Sequence, residues 1–123
     1  MANTMSYKVN WEKNGIWLWH GGTVTTKEIF DSNMEFYSDK RSDEAKYQII
    51  DFTDVENMVL SELTSIRIAA LDSAQSESTQ NIKVALVGQS IEAKRLFRDY
   101  IKSSVEIGTN WSFKMFDNID SAR

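Results

Sequence analysis

The 123-residue chain has no cysteine, no proline and a single histidine, His20. The lack of cysteine excludes disulfide scaffolds, zinc knuckles, iron–sulfur clusters and thiol catalysis together. With one histidine, neither a multi-histidine metal site nor a Ser-His-Asp triad can be assembled from spare parts. Without proline nothing forces a kink, so element boundaries must be read from Gly, Asn and capping residues. No apolar run of about 18 residues occurs, and the N-terminal MANTMSYK has no apolar core, so neither a transmembrane segment nor an export signal is expected and the expected location is the cytoplasm. Positive charge is also short: the net charge of −4 and pI near 5.0 argue against nucleic acid as a partner. What is present, 41% hydrophobic and 26% charged residues, predicts one folded domain over residues 1–123.

Residues 7–11 alternate Tyr7, Val9 and Trp11 against Lys8 and Asn10, and Asn14-Gly15 then offers the two positive-φ positions of a type I′ turn before Ile16 to Trp19. A β-hairpin is predicted, ended by Gly21-Gly22. Thr25 with Glu28 three residues on is a capping-box signature ahead of Ile29, Phe30, Met34 and Tyr37, so the first helix should run to about Ser38. Residues 47–52 are β-rich and apolar on both alternating sets, as in a central strand covered on both faces. A polar turn over residues 53–57 should lead to Ser61 as N-cap of a second helix, with Glu62 in its first turn and Leu63, Ile66, Ala69, Ala70 and Ala74 on one face. The Ser/Gln-rich residues 73–80 read as a frayed helix end and loop. A second strand-turn-helix unit follows: residues 82–87, Gly88-Gln89-Ser90, and a helix burying Ala93, Leu96, Phe97, Tyr100 and Ile101. A last strand over residues 111–116 and a short terminal helix complete the order β-β-α-β-α-β-α-β-(α). The fold class is therefore α/β, a mostly parallel sheet with an antiparallel N-terminal hairpin strand. Ile50, Ala85 and Leu86 should form the centre of the core, with Leu63, Ile66, Phe97 and Tyr100 over them.

In an open parallel sheet, ligands gather beyond the carboxyl ends of the strands, here at residues 21–23, 51–54 and 88–90. Neither glycine-containing turn matches a dinucleotide or P-loop fingerprint, so ordinary turn chemistry is the favoured reading. Asp51, Asp54 and Glu56 gather carboxylates that would suit Mg²⁺, but the absence of a partner lysine or a second acidic strand end favours turn and capping roles, and no metal or other cofactor is expected. His20 lacks a carboxylate nearby in sequence to orient it as a base and reads as structural or solvent-facing. Lys94, Arg95, Arg98 and Lys102 read as a solvated helix face. Trp11, Trp17 and Trp19 crowd the hairpin. Trp17 and Trp19 share a face that Ile16 and Leu18 do not, so one set can look outward toward a partner, a lipid interface or an apolar ligand, with core packing the favoured alternative.

Residues 47–58 (YQIIDFTDVENM), followed by Ser61 ahead of a helix, resemble the strand-to-helix segment of STAS domains. Residues 7–16 (YKVNWEKNGI), 81–87 (NIKVALV) and 111–118 (WSFKMFDN) resemble the small stand-alone bacterial SpoIIAA-like proteins, many of unassigned function. In the anti-sigma-factor antagonists of this family the helix opens with Asp-Ser-Ser-Gly, and a serine there is phosphorylated by the partner kinase. Of the aligned residues 59–62 this chain keeps only Ser61, and Glu62 carries negative charge where a phosphate would sit, so Ser61 reads first as an N-cap. The resemblance implies a non-enzymatic, cytoplasmic STAS-type module that binds an unnamed protein partner through Thr53, Asp54 and Ser61. SpoIIAA-like proteins also resemble CRAL-TRIO lipid carriers. The alternative is therefore a protein that holds a lipid or small apolar ligand, or sits on a membrane surface, using Trp17, Trp19, Phe30 and Met34. A metal-dependent enzyme using Asp51, Asp54 and Glu56 is a distant third, for want of substrate-orienting groups. The oligomeric state is left open.

Overall fold

A computed structural model describes residues 7–61, 63–75 and 79–123. The elements are β1 (Tyr7–Glu12), β2 (Gly15–Thr25), α1 (Thr26–Ser38), a 3₁₀ turn (Lys40–Glu44), β3 (Tyr47–Val59), α2 (Thr64–Gln75), β4 (Lys83–Val87), α3 (Ile91–Ile107), β5 (Ser112–Phe116) and α4 (Ile119–Ala122). The strands form one sheet in chain order, β1 antiparallel to β2 and the others parallel, with β3 in the middle as its apolar sequence requires. The predicted α/β class and element order hold. The 3₁₀ turn was not read from the sequence; it is capped by Asp39, which accepts from the Arg41 N–H.

Capping signals set the helix ends. Thr25 and Glu28 form the reciprocal capping box at α1. Ser90 accepts the Ala93 N–H at the start of α3, and Gly108 ends that helix at φ 92°, where a side chain would be strained. Right-handed crossovers between strands laid down in chain order carry α1, α2 and α3 to the same face. That face buries Ile16, Leu18, Val84 and Leu86 with Phe52 edge-on to Phe97, and Tyr100 edge-on to Phe113. Trp11 belongs to it too, stacked on Phe36 with the Arg41 guanidinium 4.5 Å from its ring centre. The other face carries little more than α4 among the described residues. β3 is nonetheless buried on both alternating sets, as its apolar sequence predicts: Gln48 and Phe52 under the helix layer, Ile49 and Asp51 on the side where α4 packs against β3, β4 and β5.

Four expectations change. The hairpin loop is Lys13-Asn14, and of the two only Asn14 has positive φ, at 65°. Gly15 already pairs with Glu12, and its missing Cβ makes room for the Tyr47 ring, which a methyl would meet at 2.4 Å. Gly21-Gly22 does not end β2: it is an irregularity in a strand that runs on to Thr25, with Gly22 at φ 65°. Residues 53–57 are strand, not turn. Past Val87, β4 stops while β2 and β3 keep pairing to Thr25↔Val59, and such a two-strand ribbon meets water, so its polar residues mimic a turn in sequence. Finally, α2 starts at Thr64 and buries Thr64, Ser65, Ile68, Ala69 and Asp72, leaving Leu63 and Ile66 exposed. Its inner face is polar because hydroxyl pairs and an Asp–Tyr bond hold it down, which defeats a reading based on apolar spacing. Ser61 lies three residues ahead of α2, and its hydroxyl pairs with that of Thr64 rather than with a helical N–H. The charge ascribed to Glu62 lies outside the described residues, as do residues 76–78 of the Ser/Gln-rich loop.

Leu86, 2% exposed, is packed between β3 and β5, whereas Leu63 is 58% exposed. Leu86→Ala is expected to lower the unfolding free energy by about 2–5 kcal/mol in a urea titration, and Leu63→Ala by less than about 0.5 kcal/mol. Equal losses would place Leu63 in the core and refute this packing.

Candidate functional site

Two surfaces gather the residues singled out above. The first is the tip where the β2–β3 ribbon meets the N-termini of α1 and α2. The Thr26 hydroxyl is 2.9 Å from that of Thr64 and accepts the Ser61 N–H at 2.9 Å, which ties the two helix starts to the end of the ribbon. The Ser61 carbonyl accepts from the Thr64 hydroxyl and N–H. Next to this polar knot in the chain are large exposed side chains, Val59 at the end of β3 and Leu63 and Ile66 at the start of α2; further along, the Arg67 guanidinium of α2 lies 5.2 Å from the Phe30 ring of α1.

The second surface is the uncovered sheet face. Register sets its side chains in three cross-strand rows, the middle one Asn10, Trp17, Ile49, Ala85 and Lys114. Trp17 Nε1 donates to Asp51 Oδ2 at 3.0 Å and Trp19 Nε1 to Asp54 Oδ2 at 2.7 Å, so both half-buried indoles are pinned to β3. The Thr53 N–H and hydroxyl both donate to Asp51 Oδ1. Asp51, 4% exposed, thus accepts three hydrogen bonds, one from the Trp17 indole and two from Thr53. At the other end of the face, Glu12 accepts the Tyr47 hydroxyl at 2.6 Å and both terminal nitrogens of Arg123, at 3.1 and 2.7 Å. The Arg123 partner holds the Glu12 carboxyl below the usual range. Beside this trio a groove of about 600 Å³ runs over β3, β4 and β5, floored by Tyr47, Ile49, Ala85 and Phe116 and flanked by Ala122 of α4.

The site residues fall as follows. Thr53 and Asp54 serve the indole-bearing face, while Ser61 lies at the tip. Trp17 and Trp19 are on the uncovered face; Phe30 and Met34 are on α1, across the sheet. The structure does not bring those four aromatic and sulfur side chains into one surface. The Asp51 and Asp54 carboxylates are engaged by indole N–H groups, and no group of three metal-ligating side chains occurs among the described residues. Arg95, Arg98 and Lys102 are exposed, and Lys94 lies 3.4 Å from Asp117, in keeping with a solvated face. The Glu12–Tyr47–Arg123 trio escaped sequence reasoning because its members are up to 111 positions apart. The nearest signal was Gly15, which faces Tyr47.

No family model matches the chain, and no curated protein matches it. Among solved structures, one match is an uncharacterised protein of the DUF3478 family with a SpoIIAA-like fold from Shewanella loihica PV-4, at a TM-score of 0.56 and 15% identity, covering 99% of this chain and 95% of that one. The fold is SpoIIAA-like. Likeness at this identity bears on the architecture alone. In this SpoIIAA-like fold the chain-ordered sheet explains why one face is layered with helices and the other is not. No helix among the described residues is long and apolar enough to cross a membrane.

Two titratable groups lie sealed in the helix-covered layer. His20, 1% exposed, has Nε2 3.1 Å from the Ser32 hydroxyl and its ring against Phe52, and burial lowers its pKa to about 4, with the Leu18 backbone and the Asp51 charge opposing. Asp72 accepts the Tyr100 hydroxyl, and burial raises its pKa to about 7 against that bond. The two act oppositely on stability. Unfolded His20 takes up its proton near 6.5 but the folded ring only near 4, so its contribution is complete above 6.5 and is lost as pH falls to 4. Folded Asp72 keeps its proton to about 7 but the unfolded chain releases it near 3.8, so its contribution is complete below 3.8 and is lost as pH rises to 7. Between pH 4 and 6.5 the two slopes offset each other. Asp72→Asn, which mimics the protonated acid, should remove one of them. Its urea midpoint should then rise from pH 4 to 6.5 more steeply than that of wild type. Parallel curves would mean that Asp72 is ionised in the folded protein.

Proposed function

We propose that the protein is a non-enzymatic, cytoplasmic binding module that engages a protein partner through the tip formed by the β2–β3 ribbon and the starts of α1 and α2. The observation that carries this reading is that Val59, Leu63 and Ile66, all exposed, flank the hydrogen-bonded Thr26–Ser61–Thr64 knot in the chain. Exposed apolar side chains beside a hydrogen-bonded polar base have the make-up of an interface patch. Ser61, an exposed residue whose hydroxyl pairs with that of Thr64, is the position that the STAS resemblance marks for a switch. Thr53 suits that role less well, since a phosphate there would stand against the Asp51 carboxylate. The non-enzymatic part of the reading is supported by the state of the acid and base groups: Asp51 and Asp54 are committed to indoles, and His20 and Asp72 are sealed in the core.

The test places a photo-crosslinking residue at Ile66 in living cells and compares it with the same probe in a Val59→Asp, Leu63→Asp background. A single protein adduct that disappears in the double variant, with the thermal midpoint within about 2 °C of wild type, supports the tip. No protein adduct at Ile66, or one that the two aspartates leave untouched, would refute it.

A further inference from the structure

We propose that the groove on the uncovered sheet face is a binding site for a small single-tailed carboxylate, its tail on the apolar floor and its head between Lys83 and Lys114. This reading concerns the face opposite α1–α3 and does not rest on the tip.

The groove exists because Ala85 stands mid-face between Ile49 and Lys114 in its row, where a larger side chain would fill the space. Its floor is a buried Ile49, the Ala85 methyl, and the half-buried rings of Tyr47 and Phe116. A volume of about 600 Å³ is in the range of small-molecule sites. The floor supplies the hydrophobic part of the recognition and excludes a ligand that is polar throughout.

The charges on this face specify the head. Lys8, Glu12, Asp51, Lys83 and Lys114 stand in its three rows, Asp54 is bound to the Trp19 indole of those rows, and Arg123 reaches in from the end of α4. The three carboxylates are already bonded, Asp51 and Asp54 to indoles and Glu12 to Arg123 and Tyr47. Lys8 lies over the Trp19 ring. Lys83 and Lys114, diagonal neighbours on β4 and β5, line the groove and make no ion pair among the described residues; the Lys114 ammonium only overlies the Phe116 ring at 5.5 Å. Two uncompensated cations beside an apolar floor, on a chain of net charge −4, complement an amphiphile with one anionic head. A second copy of the chain fits less well. A two-fold contact through this face would set the lysines of each copy against rows whose own carboxylates, Glu12 and Asp51, are already bonded.

Sodium octanoate and octan-1-ol, matched in tail and differing in charge, test the site on the ¹⁵N-labelled protein. Octanoate should shift the amides of Ile49, Ala85 and Lys114 saturably at millimolar concentration, with octanol weaker by about fivefold or more. The Lys83→Glu, Lys114→Glu variant, altered only at exposed positions, should lose that preference, whereas Ala85→Phe should abolish binding of both probes. Equal affinity for acid and alcohol, shifts confined to other regions, or a preference that survives charge reversal would overturn the proposal. So would a dimer in sedimentation that Ala85→Phe dissolves, or binding to anionic phosphatidylglycerol vesicles without any to octanoate.

Discussion

Right-handed crossovers in a sheet whose strands follow chain order leave one face without helices, and the rest of this structure depends on that constraint. Each β-α-β step deposits its helix on the same side, so α1, α2 and α3 form a single layer and only α4 returns to the other. The covered face then follows the ordinary logic of burial. Ile16, Leu18, Leu86, Phe36 and Phe97 lose nearly all contact with water, at about 25 cal/mol per Å² of apolar surface removed. The bare face must solve a different problem, since aromatic side chains there are shielded on one side only. Its answer is polar anchoring: each indole of β2 is fixed by a carboxylate of β3, and Tyr47 by Glu12.

The same division explains where polar groups are tolerated. Within the helix layer, His20, Gln48, Thr64, Asp72 and Ser104 are all buried, and the ionisable ones respond by shifting toward their neutral forms. On the bare face Asp51 is as buried as most core residues, and its oxygens accept three hydrogen bonds from Trp17 and Thr53. The extension of β2 and β3 past the end of β4 adds the third region, a solvated ribbon that carries the helix starts away from the sheet.

Local signals were strong enough to be read wherever neighbours in sequence make the contact. The Thr25–Glu28 box, the Ser90 cap and the alternation of Tyr7, Val9 and Trp11 depend on residues at most four apart, and each predicted element is present. Period-two alternation separates Trp17 and Trp19 from Ile16 and Leu18, but that the tryptophans, favoured in sequence for the core, take the uncovered face is decided only by the helix layer. Failures arose where a distant partner changes the meaning of a residue. Thr53 to Asn57 are polar and turn-like until β2 pairs with them, and Leu63 and Ile66 look like core until Thr64 and Asp72 find Thr26 and Tyr100.

By itself, then, the amino-acid order determined the element sequence, the parallel class, the central place of β3 and the split of the hairpin tryptophans, because period and capping are properties of adjacent residues. Only the tertiary structure decided which face of α2 is buried, which carboxylate each indole binds, and that Glu12, Tyr47 and Arg123 meet beside a groove. Those contacts join residues 35 to 111 positions apart in most cases, and their geometry is fixed by strand register and crossover handedness. Neither of those is written in any short stretch of the chain.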